Sequence, residues 1–268
     1  MDSLNTAEQD LQRTTNRVCE AMMVEVNGFT SPISKVIDHD YGELEGTGSY
    51  VEIDGRRFLV TNEHVAACRS LHSLAHQFAD CSNVYRTLHP FVCVTYPNDV
   101  ALCPIDDSIW SHSLHNARAI PLSRFASCHA PVDGELLFLC GYSGDTSKFT
   151  FGQLNSERLQ YLTKQDQMPT THGDPNFHFA VPYRPDLATP TREAVRSRGL
   201  PRPPGWSGTL VWNTRYIEKT QAGEDWCASI AQVTGIVWGW PSSDACLLAT
   251  KAEYLDLLTL KQASDNLK

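Results

Sequence analysis

No apolar run in this chain approaches the ~18 residues that a membrane-spanning helix needs, so no membrane partner is expected. The N-terminus, Met1 to Arg17, is polar and lacks the apolar core of a secretory leader. Basic residues are outnumbered: 22 Lys and Arg stand against 31 Asp and Glu, a formal net charge of -9. Such a chain lacks the clustered positive charge that neutralises a phosphate backbone, so no nucleic acid partner is expected. The nine cysteines are odd in number and show no compact framework of spacings. Cys93, Cys103 and Cys140 lie in apolar, strand-like runs, where a free thiol behaves as a small buried hydrophobe. Reduced thiols and a cytoplasmic setting are the expectation. There are no internal repeats and no low-complexity tail.

What is present is a globular balance, 41% hydrophobic and 20% charged over 268 residues, enough for one large core or two smaller ones. Thr6 to Val24 reads as a polar helix with Leu11, Val18 and Met22 on its apolar side. From Gly28 the character changes. Short β-rich runs at 48–53, 57–61, 91–96, 99–103, 135–140 and 230–238 are separated by Gly, Pro, Asp and Asn. Strands at this density indicate an all-β barrel or sandwich. Two helical interruptions are expected, Val65 to Asp80 and Ala249 to Leu260. The proline-rich stretch Gln167 to Pro204 reads as a long loop, and loops of that length are usually functional or mobile.

Three segments carry chemistry. Thr47 to Ile53, a turn at Asp54-Gly55, and Phe58 to Thr61 form a hairpin that runs into Asn62-Glu63-His64-Val65. Asn98-Asp99-Val100-Ala101-Leu102 supplies a carboxylate, and Gly205-Trp206-Ser207-Gly208 supplies a hydroxyl on a glycine-flanked turn. Serine nucleophiles need a base, an acid to orient the base, and amide donors for the developing oxyanion. Gly205 lets the backbone turn so that its amide and that of Ser207 share one space. Each such donor is worth about 2.7–4 kcal/mol in the transition state.

The order His, Asp, Ser and the three local contexts resemble the trypsin/chymotrypsin-like serine protease family over roughly residues 45–260. Cys140-Gly141-Tyr142 is similar to the start of the family's second barrel, and Val233 to Val237 to the strand that lines its cleft. The resemblance implies an all-β fold of two antiparallel six-stranded barrels with a helix at each end. It places an N-terminal helical extension at 1–27, a first barrel at 28–128 and a second at 129–268. It implies His64 as general base, Asp99 as orienting acid and Ser207 as nucleophile. The amides of Gly205 and Ser207 would form the oxyanion hole, and Val237, Trp238 and Gly239 would bind substrate. The implied activity is a serine endopeptidase acting on a protein or peptide through an acyl-enzyme, with no cofactor. Control would come from a regulatory partner or from ordering of the Gln167–Pro204 loop. The alternative is a catalytically silent member that binds a protein in the same cleft.

Departures from the family's pattern bear on that choice. Trp206 stands where secreted members carry a small polar or acidic residue that binds a newly cut N-terminus, so activation by that route is not expected. The oxyanion hole must then be held by packing or by a partner. Thr209-Leu210 replaces the usual Gly-Pro, Trp238-Gly239-Trp240 makes the cleft strand bulky, and no disulfide brackets His64. Two competing patterns are set aside. Gly141-Tyr142-Ser143-Gly144 nears a nucleophile elbow, but Asp145 follows and no helix does. Cys68, His72, His76 and Cys81 suggest zinc, but Cys81 is rotated off the helical face, so no metal is expected.

Overall fold

The computed structural model describes residues 6–38, 41–150, 153–169, 171–185, 188 and 200–267. Helix α1 (Thr6–Val26) leads into β1 (Thr30–Val36), β2 (Gly42–Ile53) and β3 (Arg56–Thr61). Asp54 and Gly55 both hold left-handed φ, 51° and 73°, as a two-residue turn matching the twist of its strands requires. The chain continues through α2 (Glu63–Ala67), β4 (Ser73–Gln77), β5 (Val84–Arg86), β6 (Val92–Val94), β7 (Val100–Pro104), α3 (Asp107–His112) and β8 (Ile120–Pro121). These strands form one sheet, ordered β5-β4-β1-β2-β3-β7-β6, with β8 paired in parallel to β2. The second sheet comprises β9 (Leu137–Thr150), β10 (Gln153–Thr163), β11 (His178–Pro182), β12 (Leu210–Asn213), β13 (Gln232–Gly239) and β14 (Cys246–Lys251). Its order is β10-β9-β12-β13-β14-β11, antiparallel throughout. The expected architecture of two largely antiparallel sheets with terminal helices is observed. The first sheet holds eight strands rather than six, and short pieces such as β5, β6 and β8 extend it.

One apolar cluster joins the two sheets. It takes Val51, Phe58 and Val100 from the first and Phe138, Leu210 and Trp212 from the second. Val18, Met22 and Val26 of α1 enter the same cluster, as do Leu257 and Leu260 of the C-terminal helix Leu257–Asp265. The i, i+4, i+8 spacing of those three α1 residues puts them on one face. Leu11, expected on the same side, is instead exposed. A second cluster fills the interior of the second sheet around Leu139, Phe179, Tyr183 and Trp206.

Two helical expectations are corrected. Val65 to Asp80 is not one helix: α2 stops at Ala67, a 3-10 turn follows, and Ser73–Gln77 joins the sheet as β4 beside β1. The Ala, Leu and His content favours helix locally, but pairing with β1 buries Leu74, Ala75 and His76 together, and tertiary packing overrides propensity. Likewise β14 claims Ala249 to Lys251, so the last helix begins only at Leu257. The Gln167–Pro204 stretch contains β11, and its residues 170, 186–187 and 189–199 lie outside the described residues.

His76 is packed among the rings of Tyr50, Phe78 and Tyr85, with Nδ1 2.9 Å from the Tyr50 hydroxyl. Burial, with a smaller contribution from His115, pushes its pKa down to about 3. In the unfolded chain the same imidazole titrates near ~6.5. Between those values the unfolded state binds the proton and the folded state does not. The stabilisation is therefore complete above pH ~6.5 and is lost as pH falls toward the folded value, by on the order of a few kcal/mol. Urea midpoints measured from pH 7.5 down to pH 4 should fall more steeply for wild type than for His76→Asn. Parallel curves would show that His76 is not the group responsible.

Candidate active site

β3 ends at Thr61, and Asn62, in extended conformation, turns the chain into α2, whose second residue is His64. The Asp99 carboxylate meets His64 twice. Oδ1 accepts the His64 backbone N–H at 3.1 Å, and Oδ2 lies 2.6 Å from Nδ1. A carboxylate only accepts, so Nδ1 carries the hydrogen and the Nε2 lone pair is left free. The His64 side chain is 45% exposed and that of Asp99 only 9%, so the ring is reachable while its orienting acid is not. Asp99 itself sits at φ 48°, a left-handed conformation that a non-glycine residue holds at a cost of roughly 1–3 kcal/mol and only where its surroundings fix it. The side chain of Asn62, which precedes α2, donates to the Asp99 carbonyl at 2.7 Å.

The segment Gly205 to Gly208 lies against β2 and β9. In a trans peptide the carbonyl and the following N–H point in opposite directions. The Pro204 carbonyl accepts Gly144 N–H at 2.9 Å, which turns the Gly205 N–H away from β9. The Trp206 carbonyl accepts Thr209 N–H at 2.9 Å and so turns the Ser207 N–H outward in the same manner. Thr47 pins the remaining two carbonyls: its hydroxyl donates to Gly205 O at 2.8 Å and its amide to Ser207 O at 2.8 Å. The Thr47 hydroxyl in turn accepts the Tyr142 N–H at 3.0 Å, so a single residue of the first sheet ties this segment to the second. Among the described residues the amides of Gly205 and Ser207 donate to no protein acceptor, whereas those of Trp206, Gly208 and Thr209 all do. Gly208 holds φ 88°, and a Cβ there would stand 1.9 Å from Thr47 O, so no larger residue fits.

Trp206 resolves one question left by the sequence. Its side chain is 1% exposed and packs edge-on to Tyr183, with ring centroids 5.3 Å apart, inside the second apolar cluster. The Tyr183 hydroxyl donates to Pro201 O at 2.7 Å, anchoring the approach to the same segment. Packing of Trp206 therefore holds the segment, and no charged group pairs with it among the described residues.

The structure brings His64 and Asp99 into direct contact and sets Ser207 beside the same stretch of β2. A Cβ on Gly46 would lie 2.8 Å from the Val65 side chain and 3.0 Å from the Ser207 carbonyl. No hydrogen bond joins Ser207 Oγ to the imidazole among the described residues; catalytic bonds of this kind often tighten only with substrate in place. Val237 is turned to the serine segment, its amide donating to Thr209 O at 2.8 Å and its carbonyl accepting Gly208 N–H at 2.9 Å, with the side chain buried. Trp238 is half-buried beside His178 and Tyr96, at 4.9 and 5.8 Å between ring centroids, and Gly239 pairs with Leu248. Cys68, His72, His76 and Cys81 do not converge. Cys68 donates to Glu45, His76 meets Tyr50, and no group of metal-ligating side chains occurs among the described residues. Thr47, Asn62, Tyr96 and His178 escaped the sequence reading. Thr47 sits between two glycines, a signal of close backbone approach, but its partners are distant in the chain.

No protein-family model and no curated protein matches this chain. Among solved structures it is similar to the inactive form of Rv3671c from M. tuberculosis, at 17% identity and TM-score 0.47, covering 92% of this chain and 93% of that one. It is also similar to the MamO protease domain from Magnetospirillum magneticum, at 11% identity and TM-score 0.49, covering 87% and 96%. A structure concerning the coupled folding and binding of the Sesbania mosaic virus VPg protein is similar at 15% identity and TM-score 0.44, covering 86% and 95%. At such identities and scores, the chemistry of the site follows from the chain's own residues.

Proposed function

We propose that this protein is a serine endopeptidase of the trypsin-like type, cleaving a peptide bond through an acyl-enzyme. The observation that carries this reading is the pair of amides, Gly205 and Ser207, left without acceptors on either side of Trp206 while every neighbouring carbonyl is anchored. Two unengaged amide donors flanking the residue before a serine suit an oxyanion. His64, held by Asp99 with Nδ1 as donor, has its basic nitrogen free to take a proton.

The steps follow from those roles. His64 Nε2 takes the Ser207 hydroxyl proton as Oγ bonds to the substrate carbonyl carbon, and the carbonyl oxygen becomes an anion facing the two amides. When the C–N bond breaks, the imidazolium gives its proton to the departing amine. Water then repeats the sequence on the ester, returning its proton through His64 and freeing the acid product with Ser207 restored. Asp99 stays ionised and stabilises the transient imidazolium. The substrate would lie extended along β13 near Trp238 and Gly239. No disulfide forms among the described residues, and a cytoplasmic setting is part of this reading.

A second reading, a silent domain that binds a protein in this cleft, is favoured by the missing Ser207–His64 hydrogen bond. One experiment separates the two. Wild-type protein treated with a fluorophosphonate and digested for mass spectrometry is expected to carry the adduct on Ser207. Folded protein left unmodified at Ser207 would favour the silent domain.

A further inference from the structure

Asp99 immediately precedes β7 of the first sheet, yet the loop that delivers it is held largely by the second. Three successive carbonyls each receive a side-chain donor. Pro97 O faces His178 Nε2 at 2.7 Å, Asn98 O accepts from Thr250 Oγ1 at 2.9 Å, and Asp99 O accepts from Asn62 Nδ2 at 2.7 Å. The Asn98 side chain donates to Tyr254 O at 2.6 Å. His178 of β11 and Thr250 of β14 are direct cross-strand partners, so their side chains stand together on one face of that sheet. Ring geometry settles the direction of the His178 bond. The Asp174 amide donates to Nδ1 at 2.9 Å, so Nδ1 is an acceptor, Nε2 carries the hydrogen, and that hydrogen goes to Pro97 O. The same ring lies against Trp238 and Tyr96, at centroid distances of 4.9 and 5.6 Å. Tyr96 is 59% exposed, so this aromatic group reaches the surface three residues before Asp99.

We propose that His178 is a positioning residue: by holding Pro97 O to the second sheet, it fixes the left-handed Asp99 backbone and with it the carboxylate that orients His64. This rests on the serine-protease reading above. It adds that the orienting acid and the aromatic surface near Trp238 share one buried support. A freed Pro97 carbonyl lets the loop relax toward ordinary φ, which moves the carboxylate off Nδ1 even though no atom of His178 touches a reacting group.

The test uses the full-length protein and two substitutions of opposite character. His178→Phe keeps a ring against Trp238 and Tyr96 but loses the donor, whereas His178→Gln keeps an N–H at nearly the same reach. Two quantities are measured, the rate of fluorophosphonate labelling at Ser207 and the downfield proton resonance of His64 Nδ1–H. The Phe variant is expected to label roughly tenfold more slowly, the factor one buried hydrogen bond is worth, with the resonance weakened or moved upfield. The Gln variant should return to within about threefold of wild type. Should the Phe variant not fold, His178→Met provides the same loss of donor. A folded Phe or Met variant that labels at the wild-type rate with an unchanged resonance overturns the proposal. So does a folded Gln variant as slow as Phe, which would mark packing alone. Wild-type protein that takes no label removes the protease reading, while the resonance still reports whether His178 sets the Asp99–His64 contact.

Discussion

Ser207→Ala is expected to lower turnover of a denatured protein substrate by on the order of a millionfold and to abolish phosphonate labelling, with the fold intact. Ser207 is half-buried and the substitution removes a single oxygen, so stability should be nearly unchanged. Residual rate above the uncatalysed reaction would come from the Gly205 and Ser207 amides, which the substitution leaves in place. Asp99→Asn is the companion measurement, with an expected loss of about 10⁴. The reason lies in the 2.6 Å contact with His64 Nδ1. An asparagine NH₂ in that place donates to Nδ1, which shifts the hydrogen to Nε2, and the base can then no longer accept the serine proton. Initial rates for both variants, read beside circular dichroism, decide the matter. An Ala variant that cuts at the wild-type rate would end the serine mechanism, and an Asn variant at that rate would remove Asp99 from it.

Trp206→Ala should carry the largest stability cost. The side chain is among the largest fully buried ones, packed against Tyr183 in the second apolar cluster with Leu139, Val211 and Val237 among its members. Removing it leaves a cavity that the flanking strands cannot close, at about 3–5 kcal/mol. For a chain of this size that corresponds to a fall in thermal midpoint on the order of 10 °C. Activity should fall further than the folded fraction, because the flanking amides of Gly205 and Ser207 are held out only while Trp206 keeps its peptide in place. Trp206→Phe should recover most of both losses. It keeps a ring against Tyr183, and it removes an indole N–H that is buried without an acceptor among the described residues. The readouts are urea denaturation and labelling rate. An Ala variant as stable and as active as wild type would show that packing of Trp206 does not hold the segment.

Local chemistry made part of this legible in the sequence. Asp54-Gly55 dictated a tight turn because both positions must take left-handed φ, and the alternating strands on either side followed. Val18 and Met22, read from their spacing as the apolar side of the first helix, are buried, whereas Leu11, read with them, is exposed. Where two readings competed within one segment, the sequence misled. Ser73 to Gln77 has helical composition, but strand β1 offers it an open edge, and no local signal reports an edge made forty residues earlier.

By itself, then, the sequence supplied the residue types of a serine hydrolase site, the β character of the chain, and an uncharged tryptophan before Ser207. Their local contexts were enough, because turn conformations and strand alternation depend on near neighbours. Only the tertiary structure decided that Asp99 reaches His64, that Trp206 is locked in an apolar interior, and that the Gly205 and Ser207 amides are left free. Each depends on donors or walls from distant segments: Thr47, Gly144, Tyr183 and His178. An amide is free or engaged according to where its peptide's carbonyl is anchored, and that anchor lies across the fold, where no pattern along the chain records it.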